Sequence, residues 1–284
     1  MVPFRSIILP MLFLKYAPKP PLSEFLELFW YYEGYTQPHA KERIMPDGSM
    51  QVVINLRDDE LRIYDPDRPE LFDKFSGAIF AGPRSRYEVI DTASQASLIG
   101  IHFRPGGISR FFKPPTSELL DQNLSLESLW GTNGADIRGR ILEVATPRER
   151  LLTFEQCLLE LTQKPFVRHP AVHVALAFIS GEFSGTTAEL TDRIGISRRR
   201  FLQVFSDEIG LAPKLFCRIH RFQSVLRAVH CKSENEIDWA DVALDAGYFD
   251  QAHFNHDFRE FSGINPGTYL KHRTAHFNHV PLVE

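Results

Sequence analysis

The sequence predicts an α+β protein of two domains, with a β-rich N-terminal domain followed by an all-α C-terminal domain. The 284 residues suffice for two domains of ordinary size, and 43% hydrophobic and 24% charged residues are typical of a globular protein. Short apolar runs of strand length, separated by turn residues, occupy the first half of the chain. From His169 onward these runs give way to amphipathic segments that begin with capping residues, which indicates helices.

The N-terminal domain is predicted from five short apolar segments, several of them bounded by turn sequences such as RDDE, DPDRP and RPGG. The segments are residues 49–56, 61–65, 77–82, 86–91 and 97–103. Strands of this length and spacing predict a small sandwich or barrel. The N-terminal segment FRSIILPMLFLKY is predicted as a further strand and not a signal peptide, because Pro10 and Lys15 interrupt its apolar run.

A helical region follows the predicted strands. Short helical patches are expected at residues 107–112 and 117–122, and longer helices at 136–145 and 148–162. We assign residues 1–140 to the β-rich domain, 141–168 to a helical linker, 169–274 to the all-α domain and 275–284 to a tail. The leucine-rich helix at 148–162 is a candidate homodimer interface, and packing on its own domain is the equal alternative.

Seven helices are predicted between residues 169 and 274. Their segments are AVHVALAFIS, TTAELTDRIGI, SRRRFLQVFSDEIG, PKLFCRIHRFQSVLRAV, DWADVALDAG, DQAHFNHDFREFSG and PGTYLKH. Thr186 and Glu189 have the spacing of a capping box at the start of the second segment. Pro213 stands in the first turn of the fourth segment, where proline is favoured.

Two parts of this domain repeat each other. When Ser197 is aligned with Asp250, phenylalanines match at four and eight residues after each cap, and a glycine precedes each cap. The second glycine turn is one residue longer than the first. A short helix, a glycine turn and an amphipathic helix form a helix-turn-helix unit. The sequence therefore predicts two such units, at about residues 187–209 and 238–261, joined by a long helix from Pro213 to Val229.

The second helix of each unit has a buried face and an outward face. At about 100° per residue, the buried positions are Phe201, Phe205, Phe254, Phe258 and Phe261. The positions that point away from them are Arg199, Gln203, Ala252 and His256. The same phenylalanines argue against a metal site in FDQAHFNHDF, where two histidines lie three residues apart. They place this stretch on a helix whose N-cap is Asp250.

These features resemble the AraC-type transcription regulators over about residues 170–273. The resemblance includes both glycine turns, the joining helix RIHRFQSVLRA, the segment ALDAGYFDQAHFNHDFREFSGINPGTYL and the terminal P-G-x-Y. It implies that each second helix enters the major groove of DNA, with the two helices about one DNA turn apart. The base-reading candidates that it implies are Arg198, Arg199, Leu202, Gln203, Gln251, Ala252, Asn255 and His256. Leu202 departs from the family, in which a polar residue is more usual.

The net charge of −4 gives the whole chain no basic character, so DNA binding must depend on local charge. Between Arg193 and Arg227 there are eight basic residues and two acidic ones, which suffices for several phosphate contacts. The candidate phosphate contacts are Arg200, Arg218, Arg221, His253 and Arg259. Five acids and no base between Glu234 and Asp245 predict weaker binding by the second unit.

We expect a sequence-specific DNA-binding transcription regulator that reads two successive major-groove segments of double-stranded promoter DNA. RNA polymerase and a small-molecule effector are its other expected partners, and activation and repression both stay open. The alternative is an effector-binding or protein-interaction module with little DNA specificity. Matched polar faces on two helix-turn-helix units favour the DNA-binding function, because an interaction module would not need them.

The resemblance also implies that the N-terminal domain senses a ligand or mediates dimerisation, often through a cupin-like barrel. The effector-pocket candidates are Arg84, Tyr87, His102 and Arg104, with a core histidine and a sheet surface as the alternatives. No H-x-H cluster or nucleophile–base motif is present, so we expect no metal, cofactor or catalytic activity. With no run long enough to span a membrane and three unpaired cysteines, a cytoplasmic location is expected.

Overall fold

The computed structural model of the chain describes residues 11–162, 168–179 and 195–282. Two antiparallel sheets form the N-terminal part, with strand orders β1-β2-β9-β4-β7-β10 and β11-β3-β8-β5-β6. The strands are β1 (Leu12–Tyr16), β2 (Leu26–Glu33), β3 (Lys41–Ile44), β4 (Met50–Asn55), β5 (Leu61–Tyr64), β6 (Phe72–Phe75), β7 (Ala78–Ala81), β8 (Glu88–Asp91), β9 (Ser97–Phe103), β10 (Asn123–Leu124) and β11 (His279–Pro281). The last strand comes from the C-terminal end of the chain and joins the second sheet.

The six-stranded sheet is buried on both faces. Successive residues of a strand point to opposite faces, so Phe29 of β2 faces the helices while the next residue, Trp30, faces the second sheet. The Phe29 ring lies 5.7 Å from the Phe154 ring of a covering helix. Trp30 packs in a separate cluster with Leu61 of the second sheet. Because both faces of β2 are apolar, its sequence LELFWYYE does not alternate, and the strand was absent from the sequence-based prediction.

Three helices cover the outer face of this sheet: α1 (Leu126–Trp130), α2 (Thr132–Glu143) and α3 (Pro147–Leu161). Thr146 and Glu149 form a capping box at the start of α3. The buried residues of α3, among them Leu151 and Leu158, belong to the N-terminal core. The prediction of a linker from residue 141 is therefore wrong up to Leu161, since an amphipathic helix adjoining a sheet buries its apolar face on it. The two patches expected at 107–112 and 117–122 are short 3-10 turns.

The C-terminal domain is helical, and the two-domain α+β prediction is confirmed. Its helices within the described residues are α4 (Pro170–Ile179), α5 (Arg198–Ile209), α6 (Pro213–His230), α7 (Trp239–Asp245), α8 (Gln251–Ser262) and α9 (Pro266–His272). These are six of the seven predicted helices; the seventh, TTAELTDRIGI, lies almost wholly outside the described residues. Within the described residues no helix is long and apolar enough to cross a membrane.

Helix α6 runs through the middle of the C-terminal core and joins its two halves. Its Phe216 ring lies 5.8 Å from Phe205 of α5, and its Phe222 ring lies 5.3 Å from Phe258 of α8. These residues belong to one continuous cluster of buried side chains. Both second helices of the predicted repeat are therefore anchored on the same rigid helix.

The C-terminal tail is part of the fold and ties the two domains together. Strand β11 pairs with β3, and Gln223 of α6 donates from Nε2 to the Pro46 carbonyl and to Asn278 Oδ1, at 2.7 Å each. The fully buried Glu42 carboxylate of β3 forms hydrogen bonds with His279 of β11 at 2.8 Å and with Tyr35 and His39 at 2.7 Å each. Burial would raise the pKa of Glu42, but these hydrogen bonds outweigh it and lower the pKa to about 2. The segment predicted as a tail is thus an interdomain strand.

Candidate nucleic-acid interface

Helix α5 is positioned by its N-terminal turn and by its buried phenylalanines. Gly195 adopts a positive φ of 68°, a conformation that favours glycine, and Ser197 then caps the helix by accepting from the Arg200 amide at 3.3 Å. Phe201 and Phe205 are buried in the C-terminal core. The side chains of Arg198, Arg199 and Arg200 are exposed. The predicted division of this helix into a buried and an outward face is confirmed.

Two further base-reading candidates lie on the exposed side of α5. Leu202 is 42% exposed, so its side chain is available for an apolar contact. Gln203 is exposed but donates from Nε2 to both carboxylate oxygens of Asp207, at 2.9 and 2.8 Å. Asp207 also accepts from Ser117 of the N-terminal domain at 3.4 Å. The hydrogen bonds from Gln203 Nε2 to Asp207 must break before this NH2 group can donate to a base.

Helix α8 repeats this arrangement in the second unit. Gly247 has a φ of 82°, and Asp250 caps the helix by accepting from the His253 amide at 2.7 Å. The buried residues are Phe254, Phe258 and Phe261, as predicted. The outward candidates Gln251, Ala252 and His256 are exposed, while Asn255 is half-buried. The two second helices therefore present matched outward faces.

Arg218 of α6 binds the buried side of α8, and it is not free on the surface as the phosphate-contact prediction requires. Its Nη2 lies 2.6 Å from Oδ1 of Asp257, and the guanidinium also donates to Glu260. The Asp257 side chain is only 1% exposed and that of Arg218 is 19% exposed. Hydrogen bonds with both carboxylates raise the pKa of Arg218. No local sequence pattern indicates this ion pair, because its partners are 39 positions apart.

The other phosphate candidates divide into engaged and exposed side chains. Arg221 donates to the Gly247 carbonyl at 3.0 Å and lies over the Tyr248 ring at 5.1 Å, so it supports the second turn. His253 is half-buried, with its ring 5.2 Å from that of Tyr248. Arg200 and Arg259 are exposed, so they can reach a phosphate without rearrangement.

One group of side chains within the described residues has the spacing of a metal site. It comprises His256, Asp257 and Glu260, whose ligand atoms lie within 4.8 Å of one another. Arg218 already pairs with both carboxylates. A cation would have to displace this guanidinium, so the group acts as an ion-pair network of the protein.

The four effector-pocket candidates are not brought together. Arg84 and Tyr87 line a cleft of about 540 Å³ beside β5 and β6, in which Arg84 pairs with Glu88. His102 lies on the other sheet, where its Nδ1 is 3.3 Å from Ser49 Oγ. Arg104 is exposed and donates to the Ser23 carbonyl at 3.0 Å. The prediction of one pocket from all four residues is therefore wrong, because Arg84 and Tyr87 lie in the loop between β7 and β8, whereas His102 lies in β9 and Arg104 directly follows it.

Comparison with known proteins finds similarity in both domains. Residues 190–272 match a family described as a helix-turn-helix domain, and residues 14–125 match a domain of unknown function. An uncharacterized HTH-type transcriptional regulator of Haemophilus influenzae is 29% identical over 83 residues, which cover 29% of this chain and 27% of that protein. The chain thus matches little more than a quarter of that relative's length.

Among solved structures the chain is similar to ToxT from Vibrio cholerae. One ToxT structure matches at 10% identity with a TM-score of 0.45, covering 82% of this chain and 95% of that chain. A structure of wild-type ToxT with an unsaturated fatty acid bound matches at 10% identity with a TM-score of 0.43, covering 92% of this chain and 94% of that chain.

Proposed function

Since residues 190–272 match a helix-turn-helix family and residues 14–125 a domain of unknown function, we propose that the chain is a sequence-specific transcription regulator of the AraC type. In this proposal α5 and α8 enter two successive segments of the major groove of promoter DNA. The observation that carries it is the pair of matched outward faces on two helices that share one core. An interaction module would not need this repetition.

The joining helix supplies the geometry that two-site reading requires. Helix α6 has 18 residues, and at 1.5 Å per residue it is about 27 Å long. It contacts α5 near its start and α8 near its middle, through the aromatic pairs described above. Because α5 and α8 pack on the same rigid helix, their relative position is fixed, as reading two major-groove segments about 34 Å apart, one helical turn of DNA, requires.

The outward side chains have the chemistry of base recognition. Arginine can form a bidentate pair with guanine, glutamine or asparagine with adenine, and alanine contacts the methyl group of thymine. We assign these roles to Arg199 in the first unit and to Gln251 and Ala252 in the second. Arg200 and Arg259 are the exposed cations that we assign to phosphates, whereas Arg218 and Arg221 hold the domain together.

Control of the regulator is assigned to the N-terminal domain. We propose that its cleft beside β5 and β6, lined by Arg84 and Tyr87, accepts a small-molecule effector. Leu152 and Leu159 lie exposed seven residues apart on α3, and we propose them as the contact of a homodimer. RNA polymerase is the partner through which such a protein would act on transcription.

The test is selection of bound sequences by the full chain from a library of random DNA duplexes. We expect one preferred sequence with two conserved segments, and Arg199→Ala should weaken binding to it by about 1–3 kcal/mol at one base position. Arg148→Ala is the matched control, because this exposed arginine lies on α3, away from α5 and α8. Gel shifts at two salt concentrations then separate base recognition from phosphate binding, which weakens with salt on every duplex.

Two outcomes would contradict the proposal. If no sequence is enriched, the chain has little DNA specificity and the alternative of an interaction module holds. If Arg199→Ala weakens binding equally to the selected and to random duplexes, the side chain contacts phosphate and does not read a base.

A further inference from the structure

The turn of the second repeat contains one more residue than the turn of the first, and the side chain of this residue is not packed in the core. The first turn reads Gly195, Ile196, Ser197, and the second reads Gly247, Tyr248, Phe249, Asp250. Ile196 and Tyr248 each follow the glycine and pack against the C-terminal core. Phe249 is therefore the additional residue of the longer turn.

Tyr248 packs the second turn against the C-terminal core, as Ile196 packs the first. It is 2% exposed, and its ring lies 5.4 Å from the Phe254 ring of α8. Its amide donates to the Ala243 carbonyl at 2.9 Å, which closes the turn. The turn is thus complete without the Phe249 side chain.

Phe249 is 90% exposed, the highest value among the large hydrophobic side chains of the described residues. A phenyl group that stays in water contributes no burial energy to the fold, and aromatic side chains are enriched in binding interfaces. Its position directly before the N-cap Asp250 puts it beside the end of α8 that carries Gln251 and Ala252. In helix-turn-helix proteins this end of the second helix approaches the base edges.

We propose that Phe249 contacts the methyl group of a thymine at the edge of the segment that α8 reads. This inference rests on the proposed DNA-binding function. Two Cα–Cα steps of 3.8 Å place Phe249 at most about 7.6 Å from Gln251. With base pairs about 3.4 Å apart along the helix axis, this Cα separation corresponds to about two base steps, so we place the phenyl group over a base pair next to the one that Gln251 contacts. The thymine methyl is the apolar group that the major groove offers there.

The experiment removes the methyl group from the DNA and the phenyl group from the protein, separately and together. In the duplex selected by the full chain, each thymine of the α8 segment is replaced in turn by deoxyuridine, which lacks the methyl group. Dissociation constants are measured for the wild type and for Phe249→Ala. At one position the wild type should lose about threefold to fivefold in affinity, the value of one buried methyl group.

Phe249→Ala should bind the unmodified duplex about tenfold more weakly, because a partly buried phenyl group is lost. It should show no further loss at that one deoxyuridine position. Leu244→Ala is the matched control: it removes a side chain that is also exposed, from α7 of the same unit. It should keep both the wild-type affinity and the full deoxyuridine effect. The thermal midpoint of Phe249→Ala should equal that of the wild type.

Independent effects of the two changes would overturn the inference, as would a selected segment with no thymine at this edge. An unchanged affinity in Phe249→Ala would also overturn it and would assign the phenyl group to another partner, such as a protein. These outcomes leave the proposed function standing. If the full chain enriches no sequence from the library, the proposed function itself fails.

Discussion

The ion pair between α6 and α8 leads to a quantitative prediction. Arg218→Met removes the cation and leaves the carboxylate of Asp257, whose side chain is 1% exposed, without the guanidinium that donates hydrogen bonds to it. Removing one member of a buried pair typically costs about 3–5 kcal/mol. The contact of Arg218 with the more exposed Glu260 contributes about 0.2–1 kcal/mol, and its position 5.0 Å from the Phe261 ring about 0.5–1 kcal/mol. We therefore expect a loss of at least about 3 kcal/mol.

Hydrogen exchange of the α8 amides in the full chain measures this loss, because it reports the free energy of opening of that helix. Arg259→Met is the control, since it removes an exposed arginine from the same helix and should change the free energy by less than about 0.5 kcal/mol. The double variant Arg218→Met, Asp257→Asn should lose about 2 kcal/mol less stability than the two single variants lose together, because it leaves no unpaired buried charge. A loss below about 1 kcal/mol in Arg218→Met, or additive effects, would refute this reasoning.

Two further predictions concern ionisable groups. Glu42→Gln should loosen β11 from β3, seen as faster exchange of the Leu282 amide, which donates to the Lys41 carbonyl at 2.9 Å. Since the pKa of Glu42 is lowered from 4.5 to about 2, its contribution to the stability of the fold is complete above pH 4.5 and is lost as the pH falls toward 2. The Glu42→Gln variant should lack this loss of stability in acid. An identical dependence of stability on acid pH in the variant and the wild type would contradict the prediction. His256→Ala should weaken binding to the selected duplex, because this exposed imidazole lies on the outward face of α8 and can contact a base or a phosphate. An unchanged affinity of this variant would show that His256 does not approach the DNA.

The C-terminal domain could be predicted from the sequence because its determinants are local. Caps such as Ser197 and Asp250 lie within a few residues of the helices that they begin, and the phenylalanine spacing identifies the buried face. The repeat of these local features at a separation of 53 residues gives further evidence for the same fold. Burial of Phe201 and Phe254 and exposure of Arg199 and His256 follow from helix periodicity alone.

The N-terminal domain and the interdomain contacts could not be predicted in the same way, because their determinants are distant in sequence. Strand β11 has three residues, and its partner β3 lies more than 230 positions earlier. Strand β2 is apolar on both faces, so it lacks the alternation that marks a half-buried strand. The separation of His102 in β9 from Arg84 in the loop between β7 and β8 depends on strand order, which no local pattern contains. The longer turn was visible in the sequence, but only the structure separates the buried Tyr248 from the exposed Phe249.

The central claim is that α5 and α8 read two DNA segments at a distance and rotation set by α6. It is tested most directly by inserting five base pairs between the two segments of the selected duplex, about half a turn of DNA. The insertion moves the second segment to the opposite side of the duplex, so we expect the affinity to fall to that of a duplex whose second segment is scrambled. An affinity equal to that of the uninterrupted duplex would contradict the claim, because the two helices would then bind independently of the joining helix.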